Sequence, residues 1–143
     1  SDAKQPNKFA LIIGNNNYSR YIGALSNSIN DAMAIDKKLK SINFNTTLLI
    51  NGTYKDTLNA LKSFREKLTS GSVGVVYYSG HGIQTDATDY LIPVDAVIED
   101  IERIKLEAID INQQVTDISQ SNKAHTLLFI FDSSRDTPFR KLR

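Results

Sequence analysis

Val75-Val76-Tyr77-Tyr78-Ser79-Gly80-His81-Gly82 and Leu127-Leu128-Phe129-Ile130-Phe131-Asp132-Ser133-Ser134-Arg135-Asp136 are the two stretches whose reading decides the fold. Each opens as a nearly continuous apolar run, the pattern of a strand covered on both faces of a parallel sheet. Each then breaks into small and polar residues. The first break holds a histidine between two glycines; the second holds a serine of nucleophile size followed by an arginine. If the two strands are parallel neighbours, His81 and Ser134 meet at one edge of the sheet. Open α/β sheets collect their function at that edge.

Outward from these stretches the order of elements is regular. Strands are predicted over 9–13, 44–50, 73–78 and 126–131. Between them, Ile29, Ala32, Ile35, Leu39 and Ile42 recur at helical spacing, and Tyr54, Leu58, Leu61, Phe64 and Leu68 do the same. Thr53 and Asp56 make a near capping box for the second helix, and Gly71 follows its end. A third helix is predicted over 111–119, with Asp110 as N-cap. Strand–helix alternation implies an α/β fold, a doubly wound, mostly parallel sheet with helices on both faces. The segment 82–110 interrupts the pattern. Tyr90 to Asp95 reads as a short strand or hairpin over the sheet edge, Asp95 as a brace for the loop behind it, and 99–107 as charged and exposed.

Composition narrows the function. At 143 residues, 41% apolar and 23% charged, the chain has the size and balance of one globular domain. A formal net charge of +1 gives no field that would draw nucleic acid. No apolar run approaches a membrane span, and the start shows no signal-peptide pattern, so a cytoplasmic protein is expected. There is no cysteine, hence no disulfide and no thiolate metal site.

Several pieces together resemble the large catalytic subunit of caspase-like cysteine peptidases, on the bacterial and metacaspase side of that family. They are Ala10-Leu11-Ile12-Ile13-Gly14-Asn15 with Tyr18, Asn30-Asp31-Ala32, Tyr77 to Gly82, Tyr90 to Ala96, and Phe131 to Asp136. They run in order over nearly the whole chain. The resemblance implies that 1–143 is the large-subunit portion of one catalytic domain, and that the small-subunit portion is absent from this chain and acts as its partner. It makes His81 the general base and acid and puts the family's nucleophilic cysteine at Ser134. Backbone N–H groups of Gly82 and Ser134 would form the oxyanion hole. Asp31, Ser79 and Asp132 fall where an acidic pocket takes the Arg or Lys before the cut in a protein or peptide substrate.

Structural readings of the same residues stand beside these. Asp31 also suits the first turn of a helix, where a carboxylate favours the dipole, and Asp132 could pair with Arg135. The glycines flanking His81 would let a substrate backbone approach the imidazole. Some metacaspase relatives use calcium, but Asp86, Asp89, Glu99 and Asp100 lack the spacing of a calcium loop and read as solvated. No metal and no cofactor is expected.

Serine at the nucleophile position changes the chemistry. A thiol ionises near pH 8.5, within reach of an imidazole base, whereas a hydroxyl does not. The chain is therefore expected to be inactive as a peptidase. Two origins of Ser134 remain open: replacement of a catalytic cysteine by design, or a natural pseudoprotease that binds peptides or regulates an active homologue. A working serine hydrolase is disfavoured, since there is no Gly-x-Ser-x-Gly elbow and no acid to orient the histidine.

Overall fold

A computed structural model describes residues 6–121 and 124–134. The elements run β1 (Lys8–Gly14), α1 (Ser28–Ser41), β2 (Asn45–Ile50), α2 (Tyr54–Lys67), β3 (Ser72–Thr85), β4 (Thr88–Leu91), α3 (Ile101–Glu107), β5 (Ile109–Asp110), α4 (Ile111–Gln120) and β6 (Ala124–Ser134). β2, β1, β3 and β6 lie side by side, every pair parallel. The far end of β3 turns into an antiparallel ribbon with β4, which in turn pairs with β5.

Alternation along the strands sorts the core into two layers. Ala10, Ile12, Val75 and Tyr77 pack against Ala32 of α1. Leu11, Ile13, Val76 and Tyr78 face Leu61 and Phe64 of α2 and Ile111 and Ile118 of α4. Helices on both faces thus explain why the runs at 9–13 and 73–78 are apolar without a break. A third core, smaller than the layer under α2 and α4, lies beyond the sheet edge, where Tyr18, Ile22, Tyr90, Ile92, Ile98 and Ile104 come together.

The helix starts follow from side-chain chemistry. Thr53 and Asp56 complete a capping box on α2. Asp95 accepts a hydrogen bond from the Tyr54 N–H at 2.8 Å, so it does brace its loop, against the first turn of α2. Asp110 caps α4 by accepting from the Gln113 N–H. Asn27, the N-cap of α1, makes no side-chain cap bond. Asn16 serves that helix from the preceding loop instead, its Oδ1 accepting from the Ile29 N–H at 3.1 Å.

Three expectations need correction. β3 and β6 do not stop before their motifs, because each continues to pair with the other as far as His81 and Ser134. The segment 99–107 is not simply exposed: α3 forms there, and its Ile104 is completely buried in the small core. Three charged neighbours hide that one anchoring position from a periodicity reading. Finally, among the described residues β6 is not covered on both faces. Leu127, Phe129 and Phe131 pack under α4 and α2, but Leu128 is 51% and Ile130 38% exposed. α1 lies over β1, β2 and β3 and leaves this flank open.

The β3–β4 hairpin turns on Asp86 and Ala87 with φ of 50° and 61°. Both are left-handed, as a two-residue primed turn requires. A Cβ in that region costs about 1–2 kcal/mol. Ala87→Gly is expected to stabilise the fold by about 1 kcal/mol and raise Tm by about 3 °C, readable by calorimetry.

Candidate active site

The site is assembled by strand alternation. In the β3–β6 register Tyr77 lies beside Ile130, Ser79 beside Asp132, and His81 beside Ser134. Partners in a parallel ladder project to the same face, so these three pairs form one row. Tyr77 packs in the layer under α1, which identifies the face. Asp31 stands in the first turn of α1, over the same face. Ser28, Asp31, Ser79, Asp132, Ser133 and Ser134 line one cavity of about 220 Å³, together with Leu25, Ser26 and Asn27.

Two carboxylates and a set of hydroxyls thus converge at the strand ends. The half-buried Tyr77 hydroxyl donates to Asp132 Oδ2 at 3.4 Å. Burial raises its pKa, and the charges of Asp132 and Asp31 raise it further, so both carboxylates act on the same hydroxyl. Asp31 is a first-turn residue and a cavity residue at once. Arg135, the alternative ion-pair partner of Asp132, lies outside the described residues. A larger cavity of about 510 Å³ sits at the other end of the sheet, among Asn7, Lys8, Asn43 and Asn45, and among the described residues it is lined by no acid, histidine or hydroxyl.

His81 stands at the end of this row and does not line the cavity. Its side chain is nearly enclosed, with the residue only 4% exposed. The Nε2 atom lies 2.7 Å from the Gly23 carbonyl oxygen. A carbonyl only accepts, so Nε2 carries the hydrogen and Nδ1 keeps its lone pair. Nδ1 is buried and bonded to nothing among the described residues. Burial lowers the imidazole pKa from its ordinary value, and the Gly23 bond offsets part of that. The ring is therefore neutral at pH 7, with its basic nitrogen bare. No hydrogen bond joins Nδ1 to the Ser134 hydroxyl here.

Gly23 was not marked by the sequence. Its φ of +98° is open to glycine at no steric cost, and that turn aims its carbonyl at the histidine. The glycines flanking His81 also have a task within the fold. A Cβ at 82 would lie 2.7 Å from Phe131 Cζ and from Ser133 Cβ, and one at 80 would lie 2.7 Å from Tyr18 Oη. They make room for the protein's own side chains. Among the described residues no three acidic or histidine side chains are grouped to hold a metal ion. Asp100 and Asp110 are engaged as helix caps.

A histidine and a serine thus stand at the same strand edge of a parallel sheet, beside a cavity lined by two carboxylates. The family model of the caspase domain matches residues 7–142. The chain belongs to the caspase-like peptidase family. Mucosa-associated lymphoid tissue lymphoma translocation protein 1 of Homo sapiens is 33% identical over 89 residues. Its Mus musculus homologue is 32% identical over the same length. Those matches cover 62% of this chain but only 11% of either relative. Among solved structures, protein GSU0716 from Geobacter sulfurreducens superposes with a TM-score of 0.68 at 20% identity. It covers 90% of this chain and is itself spanned to 50%, a likeness of fold.

Proposed function

We propose that this domain is the large-subunit part of a cysteine-type endopeptidase cutting after Arg or Lys, held inactive here by serine at position 134. The observation that carries the reading is the β3–β6 register. It puts His81 beside position 134 and Ser79 beside Asp132, with Asp31 above them. A guanidinium taken out of water needs carboxylate partners in fork geometry, and the convergence of Asp31 and Asp132 supports such a pocket.

With sulfur at 134, the proposed reading has these steps. Nδ1 of His81 takes the thiol proton, and the thiolate adds to the scissile carbonyl. The oxyanion would be held by the N–H groups of Gly82 and residue 134. The imidazolium returns its proton to the leaving amine, and the thioester left behind is cut by water. The Gly23 carbonyl keeps the ring in the Nε2–H form throughout. The test is to assay the full-length protein carrying Ser134→Cys against peptides with Arg, Lys, Asp or Leu before the cut. Cleavage confined to Arg and Lys supports the reading; cleavage after Asp or Leu, or none, overturns it.

The pseudoprotease alternative shares every residue of this site except the chemistry, and the codon for residue 134 in the native gene decides between a natural and an introduced serine. The complete set of pocket residues around it favours an introduced one. We also place the small-subunit segment against the outer flank of β6, where Leu128 and Ile130 are uncovered and the strand pairs with β3 alone among the described residues. An unpaired apolar edge invites association. The isolated chain is expected to self-associate in sedimentation velocity, and co-expression with the small-subunit segment to return it to one defined species.

A further inference from the structure

The strand beside β3 changes partway along its length. β1 accompanies it as far as Ser79, opposite Gly14. β4 takes over only at Gly82, opposite Leu91. His81 falls between, with no strand residue on that side to receive its N–H. Two tyrosine hydroxyls occupy the gap. The His81 N–H donates to Tyr18 Oη at 3.0 Å. Tyr78 Oη donates to the His81 carbonyl at 2.6 Å, which also accepts from the Ile92 N–H at 3.1 Å. Tyr18 Oη donates in turn to the Ile92 carbonyl at 2.8 Å and lies 2.9 Å from Tyr78 Oη.

Both tyrosines are buried, Tyr78 completely. The Tyr18 ring also meets the imidazole edge-on, with centroids 4.5 Å apart. Gly80 is small because these hydroxyls pass over it. Neither hydroxyl bonds a ring nitrogen of His81, since Nε2 is at Gly23 and Nδ1 has no partner. A proton relay through them is therefore not what the geometry offers. What they hold is the main chain of residue 81.

We infer that Tyr18 and Tyr78 are positioning residues for His81: their hydroxyls clamp its backbone where β3 changes neighbours, and so fix where Nδ1 stands relative to residue 134. The inference rests on His81 serving as the base of the proposed peptidase. Misplacing a catalytic group by about 1 Å costs about 100-fold in rate. A clamp of this kind is expected to show in kcat and not in KM, because neither tyrosine lines the cavity.

The test places Tyr18→Phe and Tyr78→Phe in the full-length protein carrying Ser134→Cys. Each is expected to lower kcat by about 10- to 100-fold with KM within about twofold. Tyr78→Phe leaves the His81 carbonyl its bond from Ile92, so it is the variant that decides if Tyr18→Phe does not fold. Ile104→Val, in the same small core but outside the clamp, supplies the stability control and is expected to keep kcat. A second measurement needs no turnover: nitrogen-15 NMR of the His81 ring in the full-length Ser134 protein. No charged side chain contributes to the ionisation of this ring. The parent should show one Nε2–H tautomer with a midpoint below the ordinary value. The tyrosine variants should show mixed tautomers and a midpoint moved up. Unchanged kcat, an unchanged ring signal, or an Ile104→Val loss as large as theirs overturns the clamp. The expected NMR changes together with no cleavage by the Ser134→Cys protein support the clamp and overturn the peptidase reading instead.

Discussion

Full-length protein with Ser134 is expected to leave peptides uncut that its Ser134→Cys form cleaves after Arg or Lys, a gap of about a millionfold in kcat, the scale of deleting a nucleophile. The reason lies behind the histidine. A serine nucleophile works where a buried carboxylate stabilises the imidazolium that forms when the hydroxyl gives up its proton. In this protein that position is taken by the Gly23 carbonyl, 2.7 Å from Nε2. A carbonyl orients the ring but brings no full charge. Burial works against the imidazolium as well, since it already pushes the His81 pKa down. A thiol needs less help, because its pKa is close enough for proton transfer to a neutral imidazole. His81→Ala in the active form should return the rate to that of the serine protein. The lowered pKa also sets the acid limb of the pH profile. Activity that needs neutral His81 falls only as pH drops through its folded-state value, so the plateau should extend below about pH 6.5, where an ordinary histidine would already be protonated. The same group links to stability. Between its folded value and about 6.5 the unfolded chain binds the extra proton, so its contribution is present above that window and is lost as pH falls through it.

Asp132→Asn in the active form is expected to cut kcat/KM for Arg substrates by about 100-fold or more. Removing one partner of a desolvated ion pair costs about 2–5 kcal/mol, most of it from leaving the other charge unmatched. Asp31→Asn should behave alike, since both carboxylates line the same cavity. A citrulline peptide has nearly the shape of the Arg peptide without its charge. It should be a poor substrate of the parent and no worse with Asp132→Asn. Equal losses on both peptides would mean that Asp132 shapes the cavity through the Tyr77 hydroxyl and does not pair with the substrate.

What the sequence made legible was whatever obeys a short repeat. Unbroken apolar runs at 9–13 and 73–78 announced strands with a helix on each side, and that is where α1, α2 and α4 lie. The spacing of 79 and 81, and of 132 and 134, already carried the alternation that sets Ser79 by Asp132 and His81 by Ser134. Thr53 and Asp110 declared their caps. Contacts between distant segments left no such trace. Nothing about Gly23 tells of a carbonyl turned toward residue 81, and Ile104 is one of three apolar residues in a charged stretch, indistinguishable from the exposed Ile101 and Leu106 until the small core closes on it. The run at 126–131 misled for the opposite reason. Its composition suits a strand covered on both faces, while within the described residues one flank is bare.

That β3 lies in two packed bodies bears on how the protein fails when warmed. Its first half is gripped by the layers under α1, α2 and α4, and the tract around His81 by the core of Tyr18, Ile22, Ile92 and Ile104. That second body draws on loops and short elements, the parts of a protein that open at the lowest free energy. On heating, the imidazole should drift from its place while the parallel sheet still gives a native circular dichroism spectrum. In the Ser134→Cys form proposed to be active, thermal inactivation would then precede thermal unfolding.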